Sequence, residues 1–191
     1  MLRLIGINAS QLAVAGGGFE SIATITAAGG ETTLSFTSIP ADYQHLQIRG
    51  IARTSRALAG TDSMNVTFNS DSGSNYSWHA LTGDGSTPAA FGGASQTRIV
   101  ILNGATMMNS STANAFAADI IDIHDYTNTS KNTTLRAFYG GDANTASTSF
   151  ILGLSSGAWY NTSAVTTVSL NNGFGFQAGS TFALYGIKAA A

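Results

Sequence analysis

The chain has 191 residues, no cysteine, a formal net charge of −2 and only 9% Asp, Glu, Lys and Arg, against roughly 25% in an ordinary soluble protein. Disulfides and thiolate metal sites are thereby excluded, and the charge makes no electrostatic case for nucleic acid or an anionic membrane. The length suits one domain with a short extra arm, and a surface solvated by Ser, Thr, Asn and Gly keeps copies apart only weakly, which favours association with other subunits.

Residues 1–18 alternate short apolar pieces and end in Gly16, Gly17 and Gly18. Met1 to Ile7 followed by Ala13-Val14-Ala15 loosely mimics a signal peptide, but the apolar core Leu4–Ile7 is shorter than the usual stretch of about 7 to 15 residues. No apolar run approaches the length of about 20 residues that spans a bilayer. Three glycines make a hinge, so the reading is a docking arm that presents Leu2, Leu4, Ile5, Ile7, Leu12 and Val14 to a partner. A frayed terminus, or a first strand packed on its own domain, is the alternative. Residues 19–191 then form the folded domain.

From Phe19 the signal is β throughout. Ile22 to Ala27 alternates, Ala28-Gly29-Gly30 turns the chain, and Thr33 to Ile39 follows, ended by Pro40. Tyr43 to Ser55 puts Leu46, Ile48, Gly50 and Ala52 on one face and Gln47, Arg49, Ile51 and Arg53 on the other, so one side is core and the other is wet or an interface. Met64, Val66 and Phe68 make the next strand. A polar turn, Asn69 to Asn75, leads to Trp78–Leu81 and then to a Gly/Ala-rich loop expected to run to Ser95. Arg98–Asn103, Ala115–His124, Thr133–Gly140, Thr148–Leu154 and Ala164–Leu170 continue the series.

The last strand, Ser180 to Lys188, carries Phe182, Leu184 and Gly186 on one face and Ala183, Tyr185 and Ile187 on the other. With both faces apolar it belongs inside a sheet, between strands made earlier. That is the habit of Greek-key and jelly-roll folds, and the expected class is an all-β, jelly-roll-like antiparallel β-sandwich with a short N-terminal arm. No fixed-period repeat supports a propeller or a solenoid.

Candidate chemistry is sparse. Asn69, Asp71, Gly73 and Asn75 could offer oxygens to calcium, with Asp84 nearby. Gly73 occupies the place of a side-chain ligand and Ala80 that of the bidentate glutamate, so a hairpin turn is the better reading. His45, His79 and His124 form no two-histidine motif. Asp119 and Asp125 are expected on one face of a strand and Asp122 with His124 on the other, which gives no ready acid/base pair and leaves Arg136 or Arg98 as partners. Nucleophile elbows, phosphate loops and zinc motifs are missing. Tyr76, Trp78, Trp159 and Tyr160 near loops could stack on sugars, although aromatic core or subunit contact is the commoner use.

The strings Phe19-Glu-Ser-Ile-Ala-Thr-Ile-Thr26, Ser38-Ile-Pro-Ala-Asp-Tyr-Gln-His-Leu-Gln-Ile-Arg49, Phe68-Asn-Ser-Asp-Ser-Gly-Ser-Asn-Tyr-Ser77, Leu81-Thr-Gly-Asp-Gly85 and Phe182-Ala-Leu-Tyr-Gly-Ile-Lys188 together resemble a family of small virion proteins of tailed bacteriophages, many infecting cyanobacteria and other aquatic bacteria. The resemblance covers Phe19 to Lys188 and implies a structural, non-enzymatic protein on the particle surface, without cofactor or metal. The short length favours a capsid decoration or cement protein over a fibre, which needs a long shaft. The expected partners are the major capsid protein or another virion protein, reached through residues 1–18, and further copies of the chain, as a homotrimer. The alternative is a tail-fibre or baseplate domain that recognises host surface glycans. A glycan-cleaving enzyme would need two converging carboxyls, which the Asp119–Asp125 segment does not offer.

Overall fold

The computed structural model describes residues 18–58, 60–142 and 150–188. Its strands are β1 (Phe19–Thr26), β2 (Thr33–Phe36), β3 (His45–Ala52), β4 (Thr61–Phe68), β5 (Tyr76–Gly83), β6 (Pro88–Gln96), β7 (Ile99–Met107), β8 (Ala117–His124), β9 (Thr133–Gly141), β10 (Ile151–Trp159), β11 (Val168–Asn171) and β12 (Thr181–Ile187). They pair antiparallel into an eight-stranded sheet, β1-β12-β3-β8-β9-β10-β5-β6, and a four-stranded sheet, β2-β11-β4-β7. The docking residues Leu2, Leu4, Ile5, Ile7, Leu12 and Val14 lie outside the described residues. Among the described residues, no helix is long and apolar enough to cross a membrane.

The strand order defines the fold. With β5, β6, β9 and β10 set aside, the eight that remain pair first with last (β1·β12), second with seventh (β2·β11), third with sixth (β3·β8) and fourth with fifth (β4·β7). A long antiparallel hairpin that is rolled so that alternate pairs fall in opposite sheets has this pairing, and it is the jelly roll. The hairpins β5–β6 and β9–β10 are additions that extend the β1-β12-β3-β8 sheet sideways. The closing strand enters between β1 and β3, as its two apolar faces require.

Alternation builds the core. On β4, Met64, Val66 and Phe68 are fully buried while Ser63, Asn65 and Thr67 are half-buried on the other face. The buried cluster draws on both sheets, for example Leu46 and Ile48 from β3, Ile99 and Ile101 from β7, and Ile121 and Ile123 from β8.

Glycines on the inner face are covered by aromatic rings from the neighbouring strand. Phe182 lies opposite Gly50, and Tyr139 lies opposite Gly153. A Cβ on Gly153 would come within 2.5 Å of the Tyr139 ring, and one on Gly157 within 2.6 Å of Ile99 Cγ2 on β7. The small inward residues of β10, Gly153, Ser155 and Gly157, therefore let the other sheet approach closely.

Three expectations need correction. The Gly/Ala-rich stretch before Ser95 is not a loop but the edge strand β6, with Pro88 as its first residue. Proline is tolerated there because an edge strand leaves one row of donors unpaired. Strand β10 starts later than expected and runs on through Ser155, Ser156 and Gly157 to Trp159, and β11 covers Val168–Asn171 rather than Ala164–Leu170.

Candidate functional site on the outer face of the large sheet

The face of the eight-stranded sheet turned away from the four-stranded one is organised in rows across the strands. One row reads Tyr185, Gln47, Asp122, Arg136, Ser156, His79, Gly92. It is a polar ladder. Gln47 Nε2 donates to Asp122 Oδ1 at 2.7 Å, Arg136 Nη2 lies 3.3 Å from Asp122 Oδ2, and Arg49 Nε donates to Gln47 Oε1 at 2.7 Å. His79 Nδ1 and Ser156 Oγ are 3.3 Å apart.

The next two rows are apolar. Ile120, Phe138, Leu154, Leu81 and Ala90 follow one another across β8, β9, β10, β5 and β6, and Ile51, Ala118, Gly140, Leu152, Gly83 and Pro88 run beside them. The six large side chains, Ile51, Leu81, Ile120, Phe138, Leu152 and Leu154, are between 39% and 60% exposed. Single exposed hydrophobic residues are ordinary, whereas a contiguous apolar sheet face is uncommon on a protein that works alone in water. Ile51 and Arg49 are exposed, so the second face of β3 is the one left open by the core, as expected for a wet face or an interface.

At the polar end of the sheet, His45 and His124 meet edge to face with ring centroids 5.4 Å apart. Their neighbour Asp125 does not share a face with Asp119. It adopts a positive φ of 49° just past the end of β8, which turns its carboxylate to His45 at 3.5 Å and to Lys131. Lys131 holds the Asp125 carboxyl below its ordinary range, while burial, with Arg136 and His45, lowers the His124 pKa. Asp122 takes Arg136, one of its two expected partners. Asp119 points inward, its pKa raised well above the ordinary range by burial, and neither carboxyl oxygen has a hydrogen-bond partner. His79 lies apart on β5. The three aspartates thus have three separate environments, and the arrangement supports no paired-carboxyl chemistry.

The Asn69–Asn75 segment is the β4–β5 turn. Asn69 Oδ1 accepts from the backbone of Thr166 and Thr167, Asp71 Oδ1 accepts from Gly73 N, and Asp71 Oδ2 accepts from Asn75 Nδ2 and from Trp159 Nε1 at 2.7 Å. Asp84 Oδ1 likewise accepts from the backbone of Ser86 and Thr87 in its own turn. These oxygens serve the turns and the Trp159 indole, and among the described residues no group of three His, Asp or Glu gathers around a metal position.

Of the aromatic residues considered for glycan or subunit contact, Tyr76 and Trp159 are fully buried and offer a sugar no face. They stack on each other at 6.4 Å between centroids, and Trp159 also meets Phe68. Both occupy inward positions of their strands, where their size fills the core. The Tyr76 hydroxyl, pushed up to about 12 by burial, is bonded to the Phe68 backbone. Trp78 is half-buried, and Tyr160 is exposed with its hydroxyl 2.8 Å from Ser77 Oγ.

The exposed face of the four-stranded sheet is different in character. Ser35 and Ser169 hydroxyls lie 2.8 Å apart, Asn171 Nδ2 donates to Thr33 Oγ1, and Thr33, Ser169 and Asn171 line a shallow polar groove with Asn65, Thr67 and Arg98. Comparison with protein-family models, with curated proteins and with solved structures gives no match.

Proposed function

We propose that this chain is a bacteriophage virion structural protein on the particle surface, a capsid decoration or cement protein held through its N-terminal arm. The observation that supports the reading most is the pairing of a jelly-roll body with a broad apolar sheet face. A protein that works alone in water gains nothing from such a face, whereas one that works in an assembly buries it. The weakly charged surface points the same way, and so does the resemblance in the Phe19–Lys188 strings. The partners on this reading are the major capsid protein or another virion protein, together with further copies of the chain.

On this reading the role is structural rather than catalytic, since Asp71, Asp84, Asp122 and Asp125 are engaged in turns and ion pairs and Asp119 is isolated in the core. A second reading, a tail-fibre or baseplate domain for host glycans, draws on the Ser/Thr/Asn-lined groove of the smaller sheet. Its aromatic contribution is reduced to Trp78 and Tyr160. Immunogold electron microscopy of intact particles separates the two. Label over the head is expected; label confined to the tail would transfer the proposal to glycan recognition, and unlabelled particles would refute both.

A further inference from the structure

We infer that His45 is a proton-operated latch on the β8–β9 turn, which holds the Asp125 amide while its imidazole is neutral and releases it on protonation. The latch is built into the fold and holds whether or not the chain is carried on a particle.

Hydrogen-bond chemistry fixes the two states. Asp125 N donates to His45 Nδ1 at 3.0 Å. A ring nitrogen accepts only while it carries no proton, so the neutral imidazole keeps its proton on Nε2. A second proton can bind only at Nδ1, where the Asp125 amide already points. The resulting imidazolium has two donors and no acceptor, and the bond from Asp125 N is lost with it. A replacement is at hand, because Asp125 Oδ1 lies 3.5 Å from the same ring nitrogen. Protonation therefore exchanges an amide-to-ring bond for a ring-to-carboxylate bond within one pair of residues. The latched amide helps to hold Asp125 at a φ of 49°, where a non-glycine residue seldom rests without support.

The surroundings keep the exchange local. Beyond the latch Tyr126 is fully buried, its hydroxyl donates to Pro40 O, and its carbonyl accepts from Val165 N at 2.8 Å. With the chain anchored there, the parts free to move are the peptide between His124 and Asp125 and the largely exposed residues 127–132. The latter close on Asp125 through Asn128 N, bonded to its carbonyl at 2.9 Å, and Lys131, bonded to its carboxylate. His124 meets His45 edge to face and opposes a second charge: burial, Arg136 and His45 lower its pKa, against Asp122 and Asp125. On the flanking strands, Ile187 of β12 stands opposite His45 and Thr134 of β9 opposite His124, both uncharged. Lys188, Glu20 and Tyr43 bond to one another, with Asp42 near Lys188. The turn borders the outer face, since His45 and His124 stand two residues along their strands from Gln47 and Asp122 of its polar row.

The test follows the full-length, isotope-labelled chain by NMR between roughly pH 8 and pH 5, the interval in which histidine changes charge. At the alkaline end His45 is expected as the Nε2–H tautomer. The Asp125 amide signal is expected to move with the midpoint of the His45 ring. Its protection against hydrogen exchange should fall at least about tenfold on acidification, while Ile121 and Ile123 keep theirs. His45→Asn, whose side-chain oxygen can accept the amide at either extreme, should hold Asp125 throughout, and His124→Asn should leave the response in place. An Nδ1–H tautomer at the alkaline end, an Asp125 amide indifferent to the charge of His45, or a response that survives in His45→Asn overturns the inference. A response lost in His124→Asn overturns it equally, by moving the sensor to the second histidine.

Discussion

Replacing Gly50 by alanine probes how the closing strand is held. Gly50 on β3 lies directly opposite Phe182 on β12, and a Cβ there would stand 2.2 Å from Phe182 Cδ1 and 2.6 Å from Cε1. Phe182 is fully buried and meets Phe176 edge to face at 5.7 Å, so its ring has no free space to enter. Overpacking costs about 1–3 kcal/mol, and with both rings confined the upper end is expected. At about 2–4 °C per kcal/mol for a domain of this size, the melting temperature falls by roughly 6–12 °C. Gly186→Ala is the internal control. Its Cβ would come 2.3 Å from the Tyr43 ring, but Tyr43 is only half-buried and can swing toward solvent by giving up its hydroxyl bond to Glu20. About 1 kcal/mol, or roughly 2–4 °C, is expected there. Scanning calorimetry of both variants decides it: equal losses, or a larger loss at Gly186, would refute the reasoning that ring confinement sets the cost.

Asp119→Asn should raise stability with a pH dependence of known sign. Burial lifts the folded-state pKa of Asp119 above its unfolded value, so its contribution is fully present below about pH 4 and is lost as pH rises through the folded pKa. Each unit of that lift withholds about 1.4 kcal/mol at neutral pH, so the melting temperature of the variant should exceed that of the wild type by roughly 3 °C or more at pH 8 and much less at pH 4; a pH-independent difference contradicts this. Arg53→Met should cost about 3 kcal/mol or more, because the buried guanidinium donates to the carbonyls of Asn109, Ser111, Thr112 and Ala115 and ties the β7–β8 connection down. Urea titration measures it, and a loss within about 0.5 kcal/mol would mean that those carbonyls find water. Deleting residues 1–18 should leave the domain's circular dichroism intact and abolish incorporation into particles; unchanged incorporation would remove the docking-arm role.

The amino-acid sequence alone determined the class of fold and the place of its last strand. Period-two alternation in segments such as Met64–Phe68 and Ala117–His124 reports which side chains leave water, and a strand apolar on both faces, Phe182 to Ile187, has to lie inside a sheet. Local signals failed where a neighbour, and not the residue itself, supplies the stability: Pro88 to Gln96 has few β-forming residues and is a strand because β5 lends it hydrogen bonds along one edge. Closeness to turns left sugar contact open at Tyr76 and Trp159 beside the commoner core use, and their strand parity turned both inward. Only the tertiary structure decided which apolar face remains uncovered. On β10 the large residues Leu152 and Leu154 point out, while Gly153, Ser155 and Gly157 point in. Alternation shows that the two faces differ, but which of them meets the other sheet depends on Tyr139 and on β7, contributed from distant parts of the chain. The outer face arises because β3, β8, β9, β10, β5 and β6, separated in sequence, are aligned in one register.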